Sequence, residues 1–158
     1  MSERAYSGGC LCGAVRYEAT GPGRHVCFCH CASCRRAAGA TPVAWATFAT
    51  TDFRVTRGAL ASYASSPPVA RGFCAACGTT LTYVHSARPL DVDVALASLD
   101  EPEALRPVRH IWVSDRVAWT PLADRLPQFP GGSSQASEPA PKPRARRKRA
   151  ARKPKRST

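Results

Sequence analysis

Eight cysteines in three tight clusters constrain this 158-residue chain more than any other feature. They fall as Cys10-x-Cys12, as Cys29-x-Cys31-x2-Cys34 with Cys27 just upstream, and as Cys74-x2-Cys77. In a secreted chain an even count would argue for disulfides. The opening residues Met1-Ser-Glu-Arg-Ala-Tyr6, however, hold no apolar stretch that could direct export. No run of about 18 apolar residues is present, so neither a membrane span nor a membrane partner is expected. In a reducing compartment, here the cytoplasm, closely spaced thiols bind metal or do redox chemistry.

Cys74-Ala-Ala-Cys77-Gly78 has the form of a zinc knuckle, whose turn aims both sulfurs at one ion while backbone N–H groups face the thiolates. One knuckle fills half of a tetrahedral site, and such sites draw their other ligands from a separate segment. Cys10 and Cys12 supply that half. The result is a closed four-thiolate site tying the N-terminal strand to the middle of the chain. The remaining cluster offers Cys29, Cys31 and Cys34, three thiols in six residues. Three protein ligands with one open position is the arrangement of a catalytic zinc. His30, between two of them, points away from the metal if the chain is extended there, and reads as a hydrogen-bonded or partner-facing histidine. Cys27 shares the strand face of Cys29. Two readings stay open for it: a fourth ligand that closes the site, or a small buried apolar residue.

Outside the clusters the chain reads as an antiparallel all-β domain. Apolar and polar residues alternate over 14–19, 43–49, 53–56, 60–64, 79–84, 92–97 and 109–113, and turn-forming stretches such as Gly21-Pro-Gly23 separate the segments. The single helix expected spans 32–38 and ends at Gly39. Trp45, Trp112 and Trp119 read as packing residues, as do Phe48 and Phe73. His110 reads as a satisfied core or edge histidine, and His85 carries no motif.

Charge divides the chain. Residues 1–130 have 13 Arg, no Lys and 10 acids, whereas residues 131–158 have 10 Lys and Arg against Glu138 alone. The formal +12 is therefore +3 on the body and +9 on the last 28 residues. That segment has no aromatic, Val, Ile, Leu or Met, so it cannot bury enough apolar surface to offset ordering, and disorder is expected. Its polycation, Lys142 to Arg156, suits nonspecific, salt-sensitive contact with nucleic-acid phosphates, or simply keeps the chain soluble. Without aromatic residues it has nothing to stack on bases.

Three quoted stretches carry a family resemblance: Gly9-Cys10-Leu-Cys12-Gly13-Ala-Val15-Arg-Tyr17, Cys29-His-Cys31-Ala-Ser-Cys34-Arg35-Arg36 and Phe73-Cys74-Ala-Ala-Cys77-Gly78-Thr79. Ser98-Leu-Asp100-Glu-Pro102 and His110-Ile-Trp112 to Trp119 extend it. The chain resembles the glutathione-dependent formaldehyde-activating enzyme (GFA) family, whose domain centromere protein V shares. The resemblance spans about 4–130 and leaves 131–158 as a tail. It implies a β-tent-like fold and two zinc ions per chain. One would be structural, at Cys10, Cys12, Cys74 and Cys77, and one catalytic, at Cys29, Cys31 and Cys34.

The implied activity is that of a carbon–sulfur lyase, adding a glutathione-like thiol to formaldehyde or a related aldehyde and running the reverse. Three thiolates leave a −1 charge on the catalytic site. Arg35 and Arg36 either offset that charge and attract an anionic thiol, or form ordinary solvated surface. Two alternatives remain: a catalytically silent zinc-stabilised binding module whose tail contacts nucleic acid, and a redox or metal-buffering role. Counting seven bound thiolates and two Zn²⁺ brings the body close to neutral.

Overall fold

The computed structural model describes residues 4–132, so the basic tail, apart from its first two glycines, lies outside the described residues. Two sheets form the fold. The smaller joins Ala5–Gly9 (β1), Arg16–Thr20 (β2) and Phe53–Arg57 (β5) in the order β1-β2-β5. The larger contains Arg24–Cys29 (β3), Val43–Ala49 (β4), Ala61–Ser66 (β6), Val69–Phe73 (β7), Thr80–His85 (β8), Asp91–Ala95 (β9) and His110–Ile111 (β10). Its order is β10-β3-β4-β9-β8-β7-β6. Ala32–Ala38 (α1) is the only α-helix among the described residues, and Gly39 ends it at φ 63° in the left-handed region that glycine adopts at no steric cost.

The mostly-β class read from the sequence holds, and neither sheet closes on itself. One pairing departs from the antiparallel expectation: β10 runs parallel to β3, opposing His110 to Phe28 and Ile111 to Cys29. No helix among the described residues is long and apolar enough to cross a membrane.

Strand β4 organises the interior. Successive side chains on a strand face opposite ways. Ala46 and Phe48 join Tyr6, Tyr17, Val92 and Val94 in a core between the two sheets, while Val43 and Trp45 join Cys27, Cys29, Cys34 and Ile111 on the other side. Tyr6 meets Phe48 at 5.5 Å between ring centroids, which locks the small sheet onto the large one. Burying a Phe such as Phe48, 1% exposed, contributes about 2–3 kcal/mol. The large sheet is thus covered on one face by the small sheet and carries a cavity on the other.

Candidate metal centres

The first centre sits where two turns meet. Cys10 follows β1, and the chain folds back through Gly13 (φ 74°), whose N–H donates to the Cys10 carbonyl at 3.0 Å. The Val15 N–H donates to Cys10 Sγ at 3.2 Å. Between β7 and β8, Gly78 (φ 74°) donates to the Cys74 carbonyl at 2.8 Å, closing the knuckle. The turns bring the sulfurs of Cys10, Cys12, Cys74 and Cys77 within 4.8 Å of one another.

Cys10 and Cys12 sulfurs are 3.5 Å apart, and those of Cys12 and Cys74 3.8 Å. A disulfide would need about 2.05 Å. Four thiolates around zinc, with Zn–S bonds of about 2.3 Å, sit about 3.8 Å apart, so this donor set fits the ion. The Thr79 hydroxyl accepts from the Leu11 N–H at 3.1 Å and lies 3.1 Å from Cys77 Sγ, to which its own hydrogen is then directed. That bond, with the Thr79 backbone N–H next, pulls the Cys77 thiol down to about 5. Cys10 is likewise lowered, first by the Val15 N–H.

The second centre lies at the junction of β3, α1 and β10. Cys29 ends β3, Cys31 caps α1 with its sulfur accepting from the Cys34 N–H at 3.3 Å, and Cys34 is buried on the first turn. Their three sulfurs lie within 4.8 Å of one another. Hydrogen bonds from Cys29 and then Cys34 hold the Cys31 thiol far below its ordinary value, while the same contact with Cys31 drives Cys29 up. Such crowding favours replacing the shared protons with a cation, so three soft donors here also fit zinc.

This cluster opens onto a cavity of about 690 Å³. Trp45, Tyr83 and Ile111 give it apolar walls, and Arg88, Asp93 and Thr47 place a polar group on its floor. Thr47 donates to Asp93 at 2.6 Å and Arg88 binds the other Asp93 oxygen at 2.7 Å. His25 and Trp112, the two non-glycine residues at positive φ among the described residues (48° and 57°), both line this cavity. Strained backbone of this kind gathers at functional sites.

Cys27 lines the same cavity, but its sulfur stands outside the three-cysteine cluster. Burial pushes its thiol up to about 12, so it forms a neutral wall. His30 is also outside the cluster, and fully buried. Its Nε2 lies 2.9 Å from His110 Nδ1, and His110 Nε2 is 3.0 Å from both Asp124 oxygens. The Asp124 carboxylate accepts from His110 Nε2–H, so His110 Nδ1 accepts from His30 Nε2–H. Burial first, then His110, lowers the His30 ring to about 4 and keeps it neutral.

The other sequence readings resolve unevenly. Arg36 is exposed and lines the cavity; Arg35 is half-buried, and neither hydrogen-bonds a sulfur among the described residues. Trp45 and Phe48 are buried as expected, but Trp112 is 42% and Trp119 74% exposed, because they follow β10 in irregular chain outside both cores. His85, which carried no motif, also lines the cavity.

The residue that sequence reasoning missed outright is Arg71. Both of its terminal nitrogens lie 3.7 Å from Cys34 Sγ, although 37 positions separate the two residues. Its only sequence signal is a charge in the middle of Val69-Ala-Arg-Gly-Phe73.

Two unclosed sheets carrying a four-cysteine cluster and a three-cysteine cluster define a mostly-β protein with two donor sets suited to metal. The sequence profile of the glutathione-dependent formaldehyde-activating enzyme family matches residues 5–115. The chain belongs to that family. Among solved structures, the crystal structure of a Rhodobacter sphaeroides protein is similar, with a TM-score of 0.52 and 30% sequence identity, over 64% of this chain and 91% of that one. None of the curated proteins matches the chain.

Proposed function

We propose that the chain is a zinc-dependent carbon–sulfur lyase that joins a small-molecule thiol to formaldehyde or a related aldehyde and catalyses the reverse. The observation that carries this reading is the three-cysteine cluster opening into a cavity. In this reading Cys29, Cys31 and Cys34 hold one zinc with a position left for substrate, and Cys10, Cys12, Cys74 and Cys77 hold a second, structural ion. Residues 4–130 form the domain that carries both. A bound zinc supplies the charge that keeps an exogenous thiol ionised near neutral pH.

The chain's own residues do the rest. Trp45, Tyr83 and Ile111 exclude water from the reacting carbon, and Arg36 at the cavity wall attracts an anionic thiol, with Arg35 adding to the local positive charge. The thiol sulfur bonds to the aldehyde carbon, the carbonyl π pair moves to oxygen, and the proton lost by the thiol ends there, giving an S-hydroxyalkyl product. Glutathione is the thiol suggested by the family name. Such chemistry, with cysteines kept reduced for metal, suits the cytoplasm.

NMR exchange between a thiol and formaldehyde, measured alongside zinc content, tests the reading. Wild-type protein accelerates exchange and Cys31→Ser abolishes it. A zinc-filled wild type that leaves exchange unchanged with several thiols overturns the reading. That result favours the silent module, whose basic tail would contact nucleic acid.

A further inference from the structure

Arg71 sits in the middle of β7 with 5% of its surface exposed. A guanidinium taken out of water needs a compensating anion, since a buried charge left unpaired is strongly unfavourable. Among the described residues no carboxylate pairs with it. Its Nε donates to Ser65 Oγ at 3.1 Å and one terminal nitrogen to Ser33 Oγ at 3.3 Å, and both hydroxyls are neutral. The guanidinium carbon lies 5.0 Å from the Tyr83 ring centroid, which packs the plane without balancing its charge. The remaining partner is Cys34 Sγ, 3.7 Å from each terminal nitrogen.

We infer that Arg71 is the positioning residue of the open centre: its guanidinium fork fixes the Cys34 sulfur and supplies the countercharge of the three-thiolate cluster. Three thiolates with one Zn²⁺ carry −1, and Arg71 brings the assembly to neutral. Two N–H donors on one sulfur also draw electron density from it, so the ion stays a stronger acceptor for a fourth ligand. Ser33, Ser65 and Tyr83 hold the fork in one orientation, and Arg71 faces Tyr83 directly across the β7–β8 pairing. This assignment rests on Cys29, Cys31 and Cys34 being metal ligands, and is independent of which reaction they serve.

The test compares full-length wild type, Arg71→Lys and Arg71→Met by zinc competition with a chromophoric chelator and by the thiolate-to-cobalt absorption of the Co²⁺-loaded proteins. Wild type binds two ions. Arg71→Met weakens one of them by about 10–100-fold, the usual effect of losing an outer partner of a ligand, and leaves the other unchanged. Its cobalt band moves to longer wavelength, because Cys34 sulfur becomes more electron-rich. Arg71→Lys, which keeps the charge and loses the fork, falls between. Wild-type affinity and spectrum in both variants would overturn the assignment. So would equal loss of both ions in Arg71→Lys, which would make Arg71 a packing residue. A wild type that binds only one ion removes the open centre itself.

Discussion

Tyr17 is 1% exposed, and its hydroxyl lies 2.7 Å from Ser98 Oγ, which itself donates to the Ala95 carbonyl at 2.7 Å. The phenol therefore donates, and burial pushes it from 10.0 up to about 12. Because the folded chain holds this proton more tightly than the unfolded one, its contribution is complete below pH 10 and is lost as pH rises towards about 12. Denaturant titrations across that window should show stability falling for wild type and less steeply for Tyr17→Phe, in which Cys27, raised over the same range, still contributes. Gly8 faces the same pair: a Cβ there would collide with the Tyr17 ring and stand 2.6 Å from the Ser98 carbonyl oxygen. Gly8→Ala should cost about 1–3 kcal/mol by the same assay. The grouping of the cysteines was legible at this scale because their spacing in each segment already brings sulfurs together. Arg71 was not, because nothing local ties it to Cys34.

Among the elements, α1 and β4 begin and end where the sequence reading puts them, since Gly39 stops the one and unbroken apolar periodicity marks the other. Strands β1 and β7 escape that reading, and β3 enters it only through Cys27 and Cys29, for physical reasons. β1 is rich in small residues, β3 spends its inward positions on Cys27 and Cys29, and β7 turns a charge inward at Arg71. The short parallel strand β10 was read as a strand, but its partner was not. It is held by the Phe28 N–H on the Arg109 carbonyl (2.9 Å) and the His30 N–H on the Ile111 carbonyl (3.0 Å), contacts no periodicity announces. His110 reinforces them by stacking on Phe28 at 5.1 Å and accepting from His30. His110→Ala strands the His30 N–H in a dry interior and should lower unfolding free energy by about 2–4 kcal/mol. Asp124→Asn, at a side chain 42% exposed, should cost less; thermal melts of the two rank them.

Across the whole molecule, the closed centre joins the β1–β2 turn of the small sheet to the β7–β8 turn of the large one. The open centre draws its three sulfurs from one six-residue stretch, the end of β3 and the first turn of α1, so it ties together nothing distant in the chain. Metal at the first should therefore contribute more to folding than metal at the second. Calorimetry with metal analysis checks this. Cys74→Ser should lose one ion and melt far below wild type, whereas Cys31→Ser should lose one ion and melt near it.

Strand β7 carries the most unusual burden. It lies one place from the outer edge of the large sheet, beside the largely exposed β6, where a strand is most free to slip. Its five residues offer no alternating hydrophobic stripe to prevent that. What they offer is Arg71 on one centre and, just past the strand's end, Cys74 on the other. A slide of one position would unseat both at once. The strand's alignment is thus set by contacts with sulfur where other sheets set it in oil, and Gly72 is equally constrained, because a Cβ there would collide with the Thr82 hydroxyl.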